Sequence, residues 1–129
     1  FVTGYVEDMY TYFRKKEQSV AVLPVYMESL QTSITEKMRA VLIDWLLEVH
    51  MKFKMHPDTL FLTVSLLDRY LERQEIPRSQ LQLLGVSCLM IGAKYEEIYP
   101  PGVNEYVYIC DNAYNRSDVS EKATLTIIQ

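Results

Sequence analysis

Apolar residues recur along this chain at intervals of three and four, and the long segments that carry this spacing are separated by short breaks rich in proline, asparagine and aspartate. Strand-like alternation is scarce, so the pattern predicts an all-α domain. Val6, Met9, Tyr10 and Phe13 fall at i, i+3, i+4 and i+7, which predicts an amphipathic helix over about 4–16. Residues 17–33 hold Pro24 and little periodicity and read as a connector. Thr35 or Ser33 then caps a helix over about 36–54, with Glu36 in its first turn.

That helix is apolar on two sides. At 100° per residue, Met38, Val41, Leu42, Trp45 and, at the margin, Glu48 gather on one face, while Ile43, Leu46 and Leu47 gather around Arg39 and His50 on the other. A helix of this kind is either buried all round or presents one face to a partner. His56-Pro57-Asp58 marks the next start, with proline where its missing N–H costs nothing, and the helix runs to about Glu72. Within it Asp68 stands among Leu66, Leu67, Tyr70 and Leu71. A buried acid there needs a cation, and Arg39 is the natural partner.

The segment over about 79–98 is the most apolar and reads as the central helix. Its small residues Gly85, Cys88 and Gly92 form a stripe that lets a neighbouring helix approach closely. Pro100-Pro101-Gly102 stops it, a short helix follows over 103–109, and Asp111-Asn112 breaks the chain again. Asn115 or Ser117 caps a last helix whose expected apolar positions are Val119, Ala123, Leu125 and Ile127. The chain begins without Met and stops in an apolar pattern, so it reads as a fragment truncated within or just after this helix.

Composition narrows the function more than the fold. At 129 residues, 49% apolar and 23% charged, the chain suits one globular domain with a substantial core. A net charge of −4, with scattered Lys and Arg, gives counterion release little to act on and argues against nucleic-acid partners. No apolar run is long enough to cross a bilayer and the start is not signal-like, so a soluble intracellular protein is expected, in nucleus or cytoplasm, without a membrane partner. Cys88 and Cys110 lack a second Cys or His at metal spacing and read as reduced thiols.

A search for catalytic chemistry finds no convincing constellation. His50 and His56 are six apart and are not the helical pair that holds zinc. Adjacent Glu96 and Glu97 diverge by about 100° on a helix, so they cannot converge on one substrate atom. Asp68 is explained by an ion pair without invoking proton transfer. No enzyme, metal or cofactor is expected.

The residues themselves resemble a known family. Met38 to Val49, read as MRAVLIDWLLEV, is similar to the MRAIL helix of mitotic cyclins. Four further stretches match in order: Glu7-Asp8-Met9-Tyr10-Thr11-Tyr12, Leu67 to Leu71, Leu81 to Gly85 leading to Ala93 through Pro101, and Tyr106 to Tyr114. The chain therefore resembles the first box of an A/B-type cyclin, closest to the B type. The resemblance implies an outer N-terminal helix and connector over 1–34, and a five-helix cyclin box over 35–129, with the second box absent.

It also implies a regulatory subunit that binds and activates a cyclin-dependent protein kinase. By motif position the kinase-facing residues are Lys94 as donor and charge anchor, Glu96 and Glu97 toward basic residues, Ile91 and Ile109 as apolar contacts, with Tyr12 and Tyr95. A second implied site docks Arg-x-Leu motifs of substrates and inhibitors on Met38, Val41, Leu42, Trp45, Leu81 and Gln82, with Glu48 receiving the arginine. Arg39 and Asp68 match the family's internal ion pair. The chain departs from the pattern at Ala123, where the family carries a glutamate that works with the lysine at Lys94. Glu121 is two residues off and about 160° away on a helix, so either the segment shifts register or one kinase contact is missing. The alternative reading is a cyclin-fold adaptor in transcription with protein or DNA partners, whose surface should be basic.

Overall fold

The computed structural model describes residues 30–128, so the expected helix over about 4–16, Tyr12 with it, and most of the connector lie outside the described residues. Five α-helices and one 3₁₀ turn follow in order, with no strand among the described residues: α1 (Glu36–Lys52), α2 (Pro57–Arg73), the turn Arg78–Gln80, α3 (Leu81–Glu96), α4 (Val103–Ile109) and α5 (Arg116–Ile128).

The starts are set by local chemistry. Thr35 accepts the Met38 N–H at 3.2 Å and so caps α1. Pro57 occupies the first turn of α2, where no N–H partner is lost. Asn115 and Asp118 reciprocate at the start of α5: the Asn115 side-chain Oδ1 accepts the Asp118 N–H at 2.8 Å, and the Asp118 carboxylate accepts the Asn115 N–H at 3.0 Å. Of the two expected caps, Asn115 is the one used. Glu105 reaches back to the Gly102 N–H at 3.1 Å to start α4. Asp111 and Asn112 both hold positive φ, 53° and 58°, which turns the chain sharply between α4 and α5.

Helix α3 is the centre of the core. From Leu83 to Met90 every residue is buried, and α1, α2 and α5 all pack on it. Its glycines permit two close approaches. A Cβ on Gly85 would meet Leu42 of α1 at 2.9 Å, and one on Gly92 would meet the Thr63 hydroxyl and the Thr59 carbonyl of α2 at 2.9 and 3.2 Å. The central segment is shorter than its pattern: residues 79–80 belong to the 3₁₀ turn, and the helix ends at Glu96 because Glu97 turns extended ahead of Pro100 and engages the start of α2.

Two further features differ from the sequence pattern. In α5, Leu125 and Ile127 are exposed at 40% and 69%, and the buried stripe is Val119, Lys122, Ala123 and Thr126. Lys122 is buried because its stem packs inward while its ammonium reaches Gln80 at 2.9 Å and lies 5.4 Å from the Tyr70 ring. Thr126 satisfies its hydroxyl on the Lys122 carbonyl at 2.7 Å. At the other end, Gln31 ties the connector down: its amide donates to the Leu71 and Gln74 carbonyls, both at 2.7 Å, and accepts the Ile76 N–H at 3.3 Å. Among the described residues no helix is long and apolar enough to cross a membrane.

Arg39 and Asp68 pair across α1 and α2 with two parallel bonds, Nε to Oδ1 at 2.8 Å and Nη2 to Oδ2 at 2.7 Å, with Asp68 almost fully buried. Removing the cation strands a buried carboxylate. Arg39→Ala is expected to lower stability by about 3–5 kcal/mol in urea unfolding, and a melting curve unchanged from the parent would refute that role.

His50, fully buried in α1, donates from Nε2 to the His56 carbonyl at 2.9 Å, and its Nδ1 has no hydrogen-bond partner among the described residues. Burial lowers its pKa from 6.5, against the raising effects of the His56 carbonyl and Glu97. The folded form therefore holds the neutral ring while the unfolded chain takes up a proton below that value. Stability should fall as pH drops below 6.5 toward the depressed folded pKa, by at most about 1.4 kcal/mol per pH unit from this group. Urea titrations at several pH values, with His50→Gln expected to flatten the slope, check this.

Candidate functional site: grooves flanking the central helix

Because α3 is flanked by α1 on one side and α5 on another, two grooves open along it. The α1–α3 groove, about 520 Å³, is lined by Met38, Val41, Leu42, Trp45, Leu81 and Gln82, together with Thr35, Lys37 and Arg78. It therefore gathers every residue expected of the docking patch except Glu48. Leu42 corrects the two-face sorting: it is buried, with its methyls under Gly85, and forms the floor rather than an exposed wall. Val41 is the exposed member at 62%, with Met38 and Trp45 half-buried.

Glu48 lies one turn beyond Trp45 and is exposed. It lines an adjoining, more polar groove of about 410 Å³ with Trp45, Val49, Lys52, Tyr108, Ile109, Asp111 and Asn112. Trp45 lines both, so an apolar trough and a charged groove holding Glu48, Lys52 and Asp111 meet at this side chain.

The α3–α5 groove, about 420 Å³, is lined by Met90, Ile91, Lys94, Tyr95, Ser120, Ala123, Thr124 and Ile127. Lys94 is exposed and Tyr95 is exposed at 81%, and the chain continues into Ile98 and Tyr99, exposed at 87% and 93%. Large side chains this exposed, beside an amphipathic groove, make this flank a candidate contact surface. Ala123 occupies the groove beside Lys94 and Glu121 does not line it. No carboxylate of α5 lines this groove with Lys94.

Two of the expected kinase-facing residues, Ile109 and Glu97, have neighbours that motif position alone does not specify. Ile109 lines the polar groove with Trp45 and Glu48, not the α3–α5 groove with Ile91 and Lys94. Glu97 has a task within the chain: one oxygen accepts the His56 N–H at 2.7 Å and also the Thr59 hydroxyl. Tyr12 lies outside the described residues. Glu96 is exposed as expected. Sequence reading missed Ser120, Thr124 and Ile127 on the partner side of the groove. A period search that treated Lys122 and Thr126 as core would have turned Ile127 outward.

Burial pushes the Cys110 thiol up to about 11 and the Cys88 thiol further still, so both are poor nucleophiles at neutral pH. Among the described residues no three His, Cys, Asp or Glu side chains come together in a metal-holding group.

Comparison with known proteins agrees with this geometry. The family model for the cyclin N-terminal domain matches residues 8–127. The chain is 50% identical to cyclin-B1-2 of Arabidopsis thaliana over 94% of this chain and 27% of that protein. It is 49% identical to the G2/mitotic-specific cyclin-B of Marthasterias glacialis over 89% of this chain and 29% of that protein. It is also 44% identical to the G2/mitotic-specific cyclin-2 of Medicago sativa over 98% of this chain and 38% of that protein. The X-ray structure of a viral cyclin from herpesvirus saimiri superposes with a TM-score of 0.73 at 23% identity, over 89% of this chain and 51% of that one, and so shares the fold. The chain thus spans between about a quarter and two-fifths of the length of these curated relatives.

The placement of Glu97 separates two neighbouring acids by role. Glu97→Ala removes the acceptor for a backbone N–H and a hydroxyl at the start of α2 and is expected to cost about 0.5–2 kcal/mol, whereas Glu96→Ala should leave stability unchanged. Thermal melts of the two variants side by side check this, and equal melting temperatures would contradict it.

Proposed function

Because the chain belongs to the cyclin N-terminal-domain family, we propose that it is the kinase-binding box of a mitotic, B-type cyclin, a regulatory subunit in the cell cycle that binds and activates a cyclin-dependent protein kinase. It works inside the cell, in nucleus or cytoplasm, and contributes no catalysis of its own. The observation that carries this reading is the α3–α5 groove with Lys94 at its side, continued by exposed Tyr95, Ile98 and Tyr99. An apolar trough with one cation and a rim of aromatic side chains suits an amphipathic helix that brings a carboxylate to Lys94.

Activation follows from differential affinity. A surface that binds the active arrangement of a kinase helix better than the inactive one shifts the population by that difference and by nothing else. The α1–α3 groove, on a different flank of α3, is free to hold Arg-x-Leu segments of substrates and inhibitors while the kinase is bound. In that role Leu42 and Leu81 receive the leucine, Trp45 and Met38 wall it, Gln82 offers an amide, and Glu48 takes the arginine.

Titration of a cyclin-dependent kinase from the same organism into the chain by calorimetry is expected to show saturable binding that Lys94→Glu weakens at least tenfold, about 1.4 kcal/mol or more, with the melting temperature of the variant unchanged. Binding that survives the charge reversal intact would move the interface away from this groove.

A further inference from the structure

We infer that the α1–α3 groove is electrically polarised along its length and selects peptides that carry an acidic residue on the far side of the leucine from the arginine. The inference rests on the reading of this groove as an Arg-x-Leu docking site and adds an orientation and a second charged determinant to it. One end carries a net negative charge, with Glu48 and Asp111 against the single cation Lys52, beside the Trp45 wall that the two grooves share. The other end is cationic: Lys37 and Arg78 both line the apolar trough, both are exposed, and neither has an ion-pair partner among the described residues.

The two charges share a face. Lys37 lies eleven positions before Glu48 on α1, and eleven steps of 100° return to within about 20° of the starting direction, three turns away. The N-terminus of α1 points the same way, so its unpaired N–H groups add partial positive charge at the Thr35 end. Glu36, also in that first turn, projects about 100° away from Lys37 and does not line the groove.

Length fixes the spacing of the motif. Eleven residues of helix rise about 16 Å, which an extended peptide covers in about five residues at ~3.3 Å each. A peptide with its arginine on Glu48 and its leucine over Leu42 thus brings the side chain about five residues after the arginine to Lys37 and Arg78. An aspartate or glutamate is favoured at that position and a lysine disfavoured, since complementary charge selects partners more than it adds bulk affinity.

The test uses three synthetic fluorescent peptides of one Arg-x-Leu sequence that differ only in Asp, Ala or Lys at the fifth position after the arginine, titrated by anisotropy at low salt. The Asp peptide is expected to bind about three- to tenfold tighter than the Lys peptide, from two exposed charge contacts. Raising the salt should shrink the ratio. In Lys37→Glu/Arg78→Glu the order of the Asp and Lys peptides should invert. An unchanged ranking in that variant, or no ranking in the parent while Trp45→Ala and Glu48→Ala still weaken all three peptides, overturns the polarity and leaves the docking site standing. If none of the peptides binds the folded chain, the docking site and the polarity fall together.

Discussion

Burial of α3 on all sides over most of its length is the constraint from which the other features follow. A helix whose side chains are apolar all round must be covered by neighbours, and coverage at close range requires small residues where backbones meet. Gly85 and Gly92 supply these on two different flanks, one receiving Leu42 and the other the Thr59–Thr63 turn of α2. With α1 and α2 seated there and α5 against a further flank, the gaps that remain are the two grooves. The grooves are seams of the core rather than additions to it.

The same packing ties the C-terminal end of α3 to its neighbours. Its last turn carries Lys94 and Tyr95, and directly after it Glu97 binds the His56 N–H and the Thr59 hydroxyl at the start of α2. His56 in turn offers its carbonyl to buried His50 of α1. Three helices are therefore tied at one corner, beside the exposed side chains Ile98 and Tyr99. A contact surface fixed before binding loses little conformational entropy on binding, and a template must be stiffer than the element it reshapes.

Much of this was legible in the sequence, and the failures have physical causes. The short helix over 103–109 is bounded by Pro-Pro-Gly and Asp-Asn, signals strong enough to fix both ends, and the observed Val103–Ile109 agrees. The Arg39–Asp68 pair was readable because an acid within an apolar stripe needs a cation, and only the tertiary structure decides that the pair is bidentate. Periodicity misled in α5, where counting only apolar residues assigned Ile127 to the core and passed over Lys122, whose long stem makes it a core residue by packing and a polar one by name. The neighbours of Ile109 and Glu97 come from which helices meet, information that no spacing along one segment contains.

Ala123 shows what fold and sequence each decide. The fold places position 123 against Lys94 whatever residue stands there, because Val119 and Ala123 together bury that face of α5 under α3. The residue then sets the character of the groove. A carboxylate there would pair with Lys94 and make the groove polar at its middle, whereas a methyl leaves the ammonium without a carboxylate from α5 among the groove's lining residues and widens the apolar floor between Ile91 and Ile127. An exposed lysine without a fixed partner loses no ion pair when it meets an incoming acid, so its charge acts wholly on the partner. With alanine at position 123, the lining of this groove carries one cation, Lys94, beside Met90, Ile91, Ala123 and Ile127.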